Sequence, residues 1–410
     1  MKRLIWGLSV ILIAILSFVI GSPVNAAAND HVVDAKAALI ADAATGQVIY
    51  QQNSNQKLPV ASISKLLTAC VIEDEIQHHQ LHWNDKITFN KQLADISNDK
   101  NYSALGLQKG ESYTVKDLYN AMLIKSADGA ALALATAHGQ TMAQFNQKMR
   151  TKAKQIGLKD YQIVNPVGLN NEDTKAFQLK QYSNKAQNSM TACDVALLAQ
   201  YLLKHYPNVV QTTGQVQSQI RVKGQVKTYR NMNKMLVGQP MAMKDIPIDG
   251  LKTGTSDEAG ACFVSSGQYQ GHQIITVVLN AHGKGDARFT ATQQLYRYLQ
   301  SNYHLQSLKL KQSDQRVRVS NGRQRFAKVT PVAIQVWANK PLSHYTVTTH
   351  YQKPLVKGKG VKAPLRKNQQ IGLIKVKALQ LTTLNNQPWS TPLYAKQADP
   401  VGNFWQRLIN

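Results

Sequence analysis

Leu58-Pro59-Val60-Ala61-Ser62-Ile63-Ser64-Lys65-Leu66-Leu67-Thr68 sets a hydroxyl and an amine three residues apart at the head of an apolar run. With Pro59 closing the preceding loop and a helix beginning near Ser62, residues i and i+3 share a face one turn apart, so Ser62 and Lys65 are expected to touch. A serine hydroxyl is a poor nucleophile until a base takes its proton. A lysine can be that base only where burial or neighbouring cations favour the neutral amine. Leu66, Leu67, Ala69, Val71 and Ile72 supply the burial. Ser-x-x-Lys also occurs by chance on ordinary helix surfaces, so the stretch needs support from the rest of the chain.

On its N-terminal side, Ala37–Ala41 and Gln47–Tyr50 read as two strands joined across Thr45-Gly46 in a hairpin. On its C-terminal side the helix runs to about Glu75, and residues 76–113 read as polar and irregular. Thr114 then caps a helix carrying Val115, Leu118, Met122 and Leu123 on one face. Gly129–Ala137 suits a tightly buried helix, and Met142, Phe145, Met149 and Ala153 mark another that Gly157 ends. Asn165-Pro166-Val167-Gly168-Leu169 is turn chemistry, residues 170–188 read as a mobile polar loop, and Thr191 opens a further helix. From about residue 215 strands return, at 248–254, 262–264 and 273–279, before a last helix from Ala287 to Tyr303. Strands at both ends with helices between them predict a mixed sheet with an inserted helical lobe, and a cleft between the two.

Residues 306–395 alternate Val, Ile and Thr between Pro and Gly with no helical period, which predicts a separate small all-β sandwich. At the end, Asp399 can cap a helix with Pro400 at its first position. Val401, Phe404, Trp405, Leu408 and Ile409 then share one apolar face, suited to a membrane interface or to docking on its own domain. At the start, Lys2 and Arg3 precede an apolar run from Leu4 to Ile20 and the small-residue site Val24-Asn25-Ala26. A signal peptide over 1–26 is expected, with an uncleaved anchor as the alternative because the run is long. The expected domains are therefore 1–26, 35–304, 306–395 and 399–410, in a protein secreted to the extracytoplasmic face of the membrane or the cell wall.

With 410 residues and 43% hydrophobic residues, the chain is large enough for two domains. Three cysteines, Cys70, Cys193 and Cys262, make no disulfide framework, so packing has to stabilise a secreted fold. Of the net charge of +25, +16 lies between residues 306 and 398, where twelve Lys and five Arg face the single acid Asp314. Outside the cell such charge points to an anionic membrane surface or wall polymers, not nucleic acid, or else serves solubility alone.

Two later stretches promote Ser62 and Lys65. Ser126-Ala127-Asp128 lies between two helices of the lobe, and Lys252-Thr253-Gly254-Thr255 lies on a strand whose Gly254 allows a close approach. The order Ser-x-x-Lys, Ser-x-Asn-like, Lys-Thr-Gly is that of penicillin-binding proteins and class A β-lactamases. Together with Ala41–Gly46 and Asn165–Leu169, these motifs resemble the serine-type D-alanyl-D-alanine carboxypeptidases, the low-molecular-mass penicillin-binding proteins. The resemblance implies an α+β, transpeptidase/β-lactamase-like catalytic domain, a β-domain as stalk and a membrane-surface helix. It also implies Ser62 as nucleophile towards the peptidoglycan stem peptide, Lys65 as its base and Ser126 as proton relay. Lys252, Thr253 and Thr255 would hold the terminal carboxylate, the backbone N–H groups of Ser62 and Thr255 would hold the oxyanion, and β-lactams would acylate Ser62. No cofactor or metal is implied.

Asp128 departs from the pattern, which usually has Asn there. An ionised Asp only accepts hydrogen bonds, and beside Lys65 it favours the charged amine, so it is expected to be protonated or turned towards a cation. Arg288, just after a strand, is a candidate for the substrate carboxylate or a sheet-edge cation. His78, His79 and His82 have metal-like spacing with Glu75 but no second ligand cluster. A class A β-lactamase is the first alternative, against which stand the lack of a Glu-x-x-Leu-Asn stretch and the added β-domain. A non-catalytic wall-binding relative is the second.

Overall fold

The computed structural model describes residues 31–283, 285–352 and 360–409; the expected signal segment lies outside them. Strand β1 (Ala35–Asp42) turns into β2 (Gln47–Gln52) where Asp42 Oδ1 accepts from Thr45 N at 2.9 Å and Gly46 takes a positive φ of 70°. After β3 (Leu58–Pro59), a 3₁₀ turn over Ala61–Ser64 leads into α1 (Lys65–Gln77). The segment expected to be irregular is not: β4 (Lys86–Thr88) pairs with β5 (Ser112–Thr114) around α2 (Lys91–Asn98). Asn90 caps α2 by accepting from Leu93 N, and Leu93, Ala94, Ile96 and Ser97 are its buried side.

The helical lobe continues through α3 (Val115–Ile124), α4 (Asp128–Ala135) and α5 (Met142–Ile156), then β6 (Ser189–Met190), α6 (Ala192–His205) and α7 (Val209–Thr213). Thr114, Thr141 and Thr191 each form a capping box with the residue three further on, which fixes where α3, α5 and α6 begin. The loop expected to be mobile at 170–188 is fastened by buried Asn171, whose amide donates to Leu179 O and Tyr182 O and accepts from Leu179 N.

An outer hairpin, β7 (Gln217–Val222) with β8 (Gln225–Arg230), precedes β9 (Ile248–Ser256), β10 (Gly260–Tyr269), β11 (His272–Ala281) and α8 (Ala287–Asn302). The main sheet runs β2-β1-β11-β10-β9 with every pairing antiparallel, so it is mixed in the origin of its strands and not in their direction. Both faces are covered. Ala37 and Leu39 pack with the lobe, while Ala38 and Ile40 pack with Phe289, Leu295 and Leu299 of α8. That explains why β1 is an unbroken apolar run instead of an alternating one.

The β-rich part begins with β12 (His304–Lys309), directly after α8. It continues through β13 (Arg316–Ser320), β14 (Phe326–Thr330), β15 (Ala333–Ala338), β16 (Thr346–Tyr351), β17 (Val361–Lys362), β18 (Gln370–Lys377), β19 (Thr382–Thr383) and β20 (Trp389–Ala395). Six of these form a curled sheet in the order β16-β18-β20-β14-β13-β17 around its own core, which includes Val317, Val329, Ile374 and Trp389. The seventh and eighth, β12 and β15, pair with each other. β19 leaves this module entirely and pairs with β2 as the sixth strand of the main sheet. The expected all-β module is thus present, with one strand lent to its neighbour.

The chain ends in α9 (Phe404–Ile409). Asp399 does not cap it: the carboxylate is buried and accepts from the backbone N–H groups of Arg323 and Gln324 at 3.0 and 3.1 Å. Asn403 is the residue whose side chain accepts from Gln406 N at 2.9 Å. Phe404, Trp405 and Leu408 are exposed, so that face of α9 does not dock on the β-module.

Candidate active site

Ser62 stands in the 3₁₀ turn, just after Ala61, whose φ of 45° puts a residue with a Cβ in the left-handed region. The tight turn makes Ser62 and Lys65 neighbours: Lys65 Nζ lies 2.7 Å from Ser62 Oγ. Lys65 is fully buried and also donates to Asp128 Oδ1 at 2.7 Å and to the carbonyl of Val167 at 3.1 Å. Three acceptors match the three protons of an ammonium. Burial nevertheless pushes the amine below its ordinary pKa, with the Asp128 carboxylate pulling the other way.

Asp128, 3% exposed, is held by the first turn of α4. Its second oxygen accepts from Ser103 N at 2.8 Å. The carboxylate is turned towards a cation, one of the two alternatives expected for it. Ser126 is buried two residues earlier at the junction of α3 and α4, with a φ of 63°, the second strained position at this site.

Two glycines decide how close the walls of the cleft come. A Cβ on Gly254 of β9 would sit 2.6 Å from the carbonyl oxygen of Val60, so only glycine lets β9 lie against the Ser62 turn. Gly168, at φ 86°, faces the turn from the Asn165–Leu169 side, where a Cβ would fall 1.9 Å from Ala61 O. Asn165 shapes that segment by accepting from Val167 N and Gly168 N at 3.1 and 2.8 Å and donating to Leu169 O at 2.8 Å.

Lys252 is buried on β9 and donates to Thr253 O at 3.0 Å; burial, and then the charge of Lys65, hold it well below its ordinary value. Thr253 is buried beside it, and Thr255 is exposed at the end of the run. Arg288, half-buried on α8, spends its donors on the strand: Nη1 to Gly254 O at 2.6 Å and Cys262 O at 3.1 Å, Nη2 to Thr255 Oγ1 at 2.7 Å. It braces Thr255 rather than standing free. Lys65, Lys252 and Arg288 against Asp128 leave the cleft short of negative charge, which suits a ligand carrying a carboxylate.

Asp128, Lys65 and Ser62 are therefore brought together by the fold, with Lys252 within electrostatic range of Lys65. Ser103 N and Val167 O also belong to the site, and neither is legible in the sequence, because both are backbone groups. Among the described residues no group of three or more His, Cys, Asp or Glu is placed to hold a metal.

The D-alanyl-D-alanine carboxypeptidase DacF of Bacillus subtilis (strain 168) is 28% identical over 349 residues, spanning 84% of this chain and 82% of DacF. A peptidoglycan synthesis regulatory factor (PBP3) from Streptococcus pneumoniae has a similar structure, with a TM-score of 0.77 and 28% identity over 90% of this chain and 99% of that one. Penicillin-binding protein D2 from Listeria monocytogenes, in its ampicillin-bound form, matches with a TM-score of 0.53 and 28% identity over 65% of this chain and 96% of its own. With residues 24–283 also matching the D-alanyl-D-alanine carboxypeptidase model of Peptidase_S11, the chain belongs to the family of serine-type D-alanyl-D-alanine carboxypeptidases.

Proposed function

We propose that the protein removes the terminal D-alanine from peptidoglycan stem pentapeptides through an acyl-enzyme on Ser62. The observation that carries this assignment is the buried Lys65 amine 2.7 Å from Ser62 Oγ. In its neutral form Lys65 takes the Ser62 proton as Oγ attacks the carbonyl between the two D-alanines. The tetrahedral centre collapses, the C–N bond breaks, and the departing D-alanine amine takes a proton relayed through Ser126. Water then attacks the ester and restores Ser62. Lys252, Thr253 and Thr255 hold the substrate carboxylate, with Arg288 positioning Thr255 and Gly254 keeping β9 close; an arriving carboxylate favours the charged form of Lys252. Asp128 orients Lys65. A β-lactam carries a carboxylate and a strained amide in similar relation, and the ampicillin-bound relative supports acylation of Ser62 by the same route.

The test compares labelling by a fluorescent penicillin with release of D-alanine from a pentapeptide. Stable labelling and release, both lost in Ser62→Ala, are expected. Rapid hydrolysis of the penicillin would make the protein a β-lactamase, and neither labelling nor release would make it a binding module.

The same reading places the protein on the extracytoplasmic side, at the membrane or wall. The exposed Val401, Phe404, Trp405 and Leu408, between 50% and 70% accessible, support a surface-lying α9. Among the described residues no helix is long and apolar enough to cross a membrane. Co-sedimentation with anionic vesicles, lost when residues 403–410 are removed, is the expected result.

A further inference from the structure

Strand β13 alternates Arg316 and Arg318 outward with Val317 and Val319 inward, and β14 turns Phe326 and Lys328 to the same outer face. The register puts Arg316 opposite Lys328 and Arg318 opposite Phe326. Like charges directly opposite each other destabilise a strand pair, and this pair has no acid to offset them. Among the described residues, no Lys or Arg between 306 and 398 is in an ion pair.

Two of the arginines are nevertheless seated on a ring. Arg316 lies over the Phe326 ring at 5.0 Å from its centroid and Arg325 at 5.9 Å, which holds planar guanidinium forks in place around a ring 40% exposed. Facing them is β16, near the other end of the same curled sheet. Among the described residues no strand pairing joins β16 to β13 or β14, and between them Arg316, Arg318 and Phe326 line a recess of about 700 Å³ with His350 and Tyr351. A second recess of about 640 Å³ shares Arg316 and adds Lys328 and Lys396. Asp314 is the one acid on the rim of the first.

We propose that this seam binds a linear phosphodiester polymer, of the polyol-phosphate kind found outside the cell; the source of the ligand rests on the wall-side placement proposed above. Two recesses that share Arg316 in their linings fit a chain better than a single small anion. Arg316 and Arg318, two residues apart on one strand face, stand roughly 7 Å apart. An extended P–O–C–C–C–O–P repeat spans about that length. Guanidinium forks match phosphate oxygens two at a time, while the Phe326 and Tyr351 rings offer flat surfaces to the carbon linkers. A membrane is the less suitable occupant, since the lining is concave and charged while the apolar face of α9 lies elsewhere, at Phe404, Trp405 and Leu408.

The test uses the full chain with lipid-free polyglycerol phosphate, followed by titration calorimetry, beside vesicles of phosphatidylglycerol and phosphatidylcholine. Arg316→Glu/Arg318→Glu is expected to weaken polymer binding by about tenfold or more, and Arg316→Lys/Arg318→Lys to weaken it less, because charge remains while the fork is lost. Arg366→Glu/Lys367→Glu, the same charge change on an exposed turn outside the recesses, is expected to stay within about twofold. Equal loss in both Glu pairs would reduce the effect to the general field of the module and overturn the proposal. So would absence of polymer binding by the parent, or vesicle binding that depends on Arg316 and Arg318 as strongly as polymer binding does. Release of D-alanine from a soluble pentapeptide is read in parallel and is expected to be unchanged in all three variants. Polymer binding in a protein that releases no D-alanine upholds the seam and removes the catalytic reading instead.

Discussion

Lys65 receives opposite instructions from its surroundings. Burial favours the neutral amine that a base requires, whereas Asp128 at 2.7 Å favours the ammonium. Activity should therefore rise with pH as Lys65 gives up its proton. Asp128→Asn removes the charge that holds the proton on and keeps a side chain of the same shape. Its rising limb should move to lower pH in a pH profile of D-alanine release. An unmoved limb would mean that Asp128 does not govern Lys65. The Ser62 to Lys65 spacing was legible from the sequence because a helical turn fixes it. The direction in which Asp128 turns was not, because it depends on Ser103 N and Lys65 meeting it from two other segments. Arg288 shows the same limit: its position after a strand was readable, but its engagement with Gly254 O and Thr255 requires the fold of α8 onto β9.

At the scale of elements, the cleft depends on β9 touching the Ser62 turn. Gly254→Ala should push β9 away from Val60 O. Because misplacement by about 1 Å costs catalysis on the order of a hundredfold, the acylation rate with penicillin should fall that far. Overpacking should lower stability by about 1–3 kcal/mol. Acylation kinetics alongside a urea unfolding curve check both parts. The helices opened by Thr114 and Thr191 were readable because the capping residue and the apolar stripe agree, and α5 because its stripe ends at Gly157. α2 was not: it has eight residues, and Ser97 interrupts the apolar character of its buried side. Asp399-Pro400 misled for the converse reason. A sequence that can start a helix was drawn into a tertiary contact with Arg323 N and Gln324 N, and the cap fell to Asn403.

The molecule as a whole is joined where Trp337 of β15 enters the catalytic half. Its indole donates to Asp42 Oδ2 at 3.1 Å, its backbone exchanges hydrogen bonds with the Gln47 side chain, and its ring stacks on Tyr269. Trp337→Ala should cost about 3–5 kcal/mol and separate the unfolding of the two halves in calorimetry, while soluble pentapeptide is still cleaved. His272 Nδ1 lies 2.7 Å from the same Asp42 carboxylate. Its hydrogen bond to Asp42 raises His272 against a smaller effect of burial. Burial pushes Asp42 up, but its hydrogen bonds, led by the one with His272, hold it below the usual range. The His272 contribution is thus complete below the ordinary histidine value of 6.5 and is lost as pH rises through the raised one; that of Asp42 is lost only in acid. The stability gap between the parent and His272→Gln should shrink as pH is taken from about 6 to about 9.

Thr382–Thr383 gives this joint a consequence for anyone who cuts the protein down. A fragment stopping after α8 loses the two residues that seal the rim of β2, and leaves a bare ladder of amides and carbonyls looking for a mate. Such a piece should keep its chemistry yet stick to copies of itself, appearing as dimers or larger species in light scattering where the intact polypeptide does not. The final quarter of the chain, whatever else it carries, acts as the hem of the first sheet.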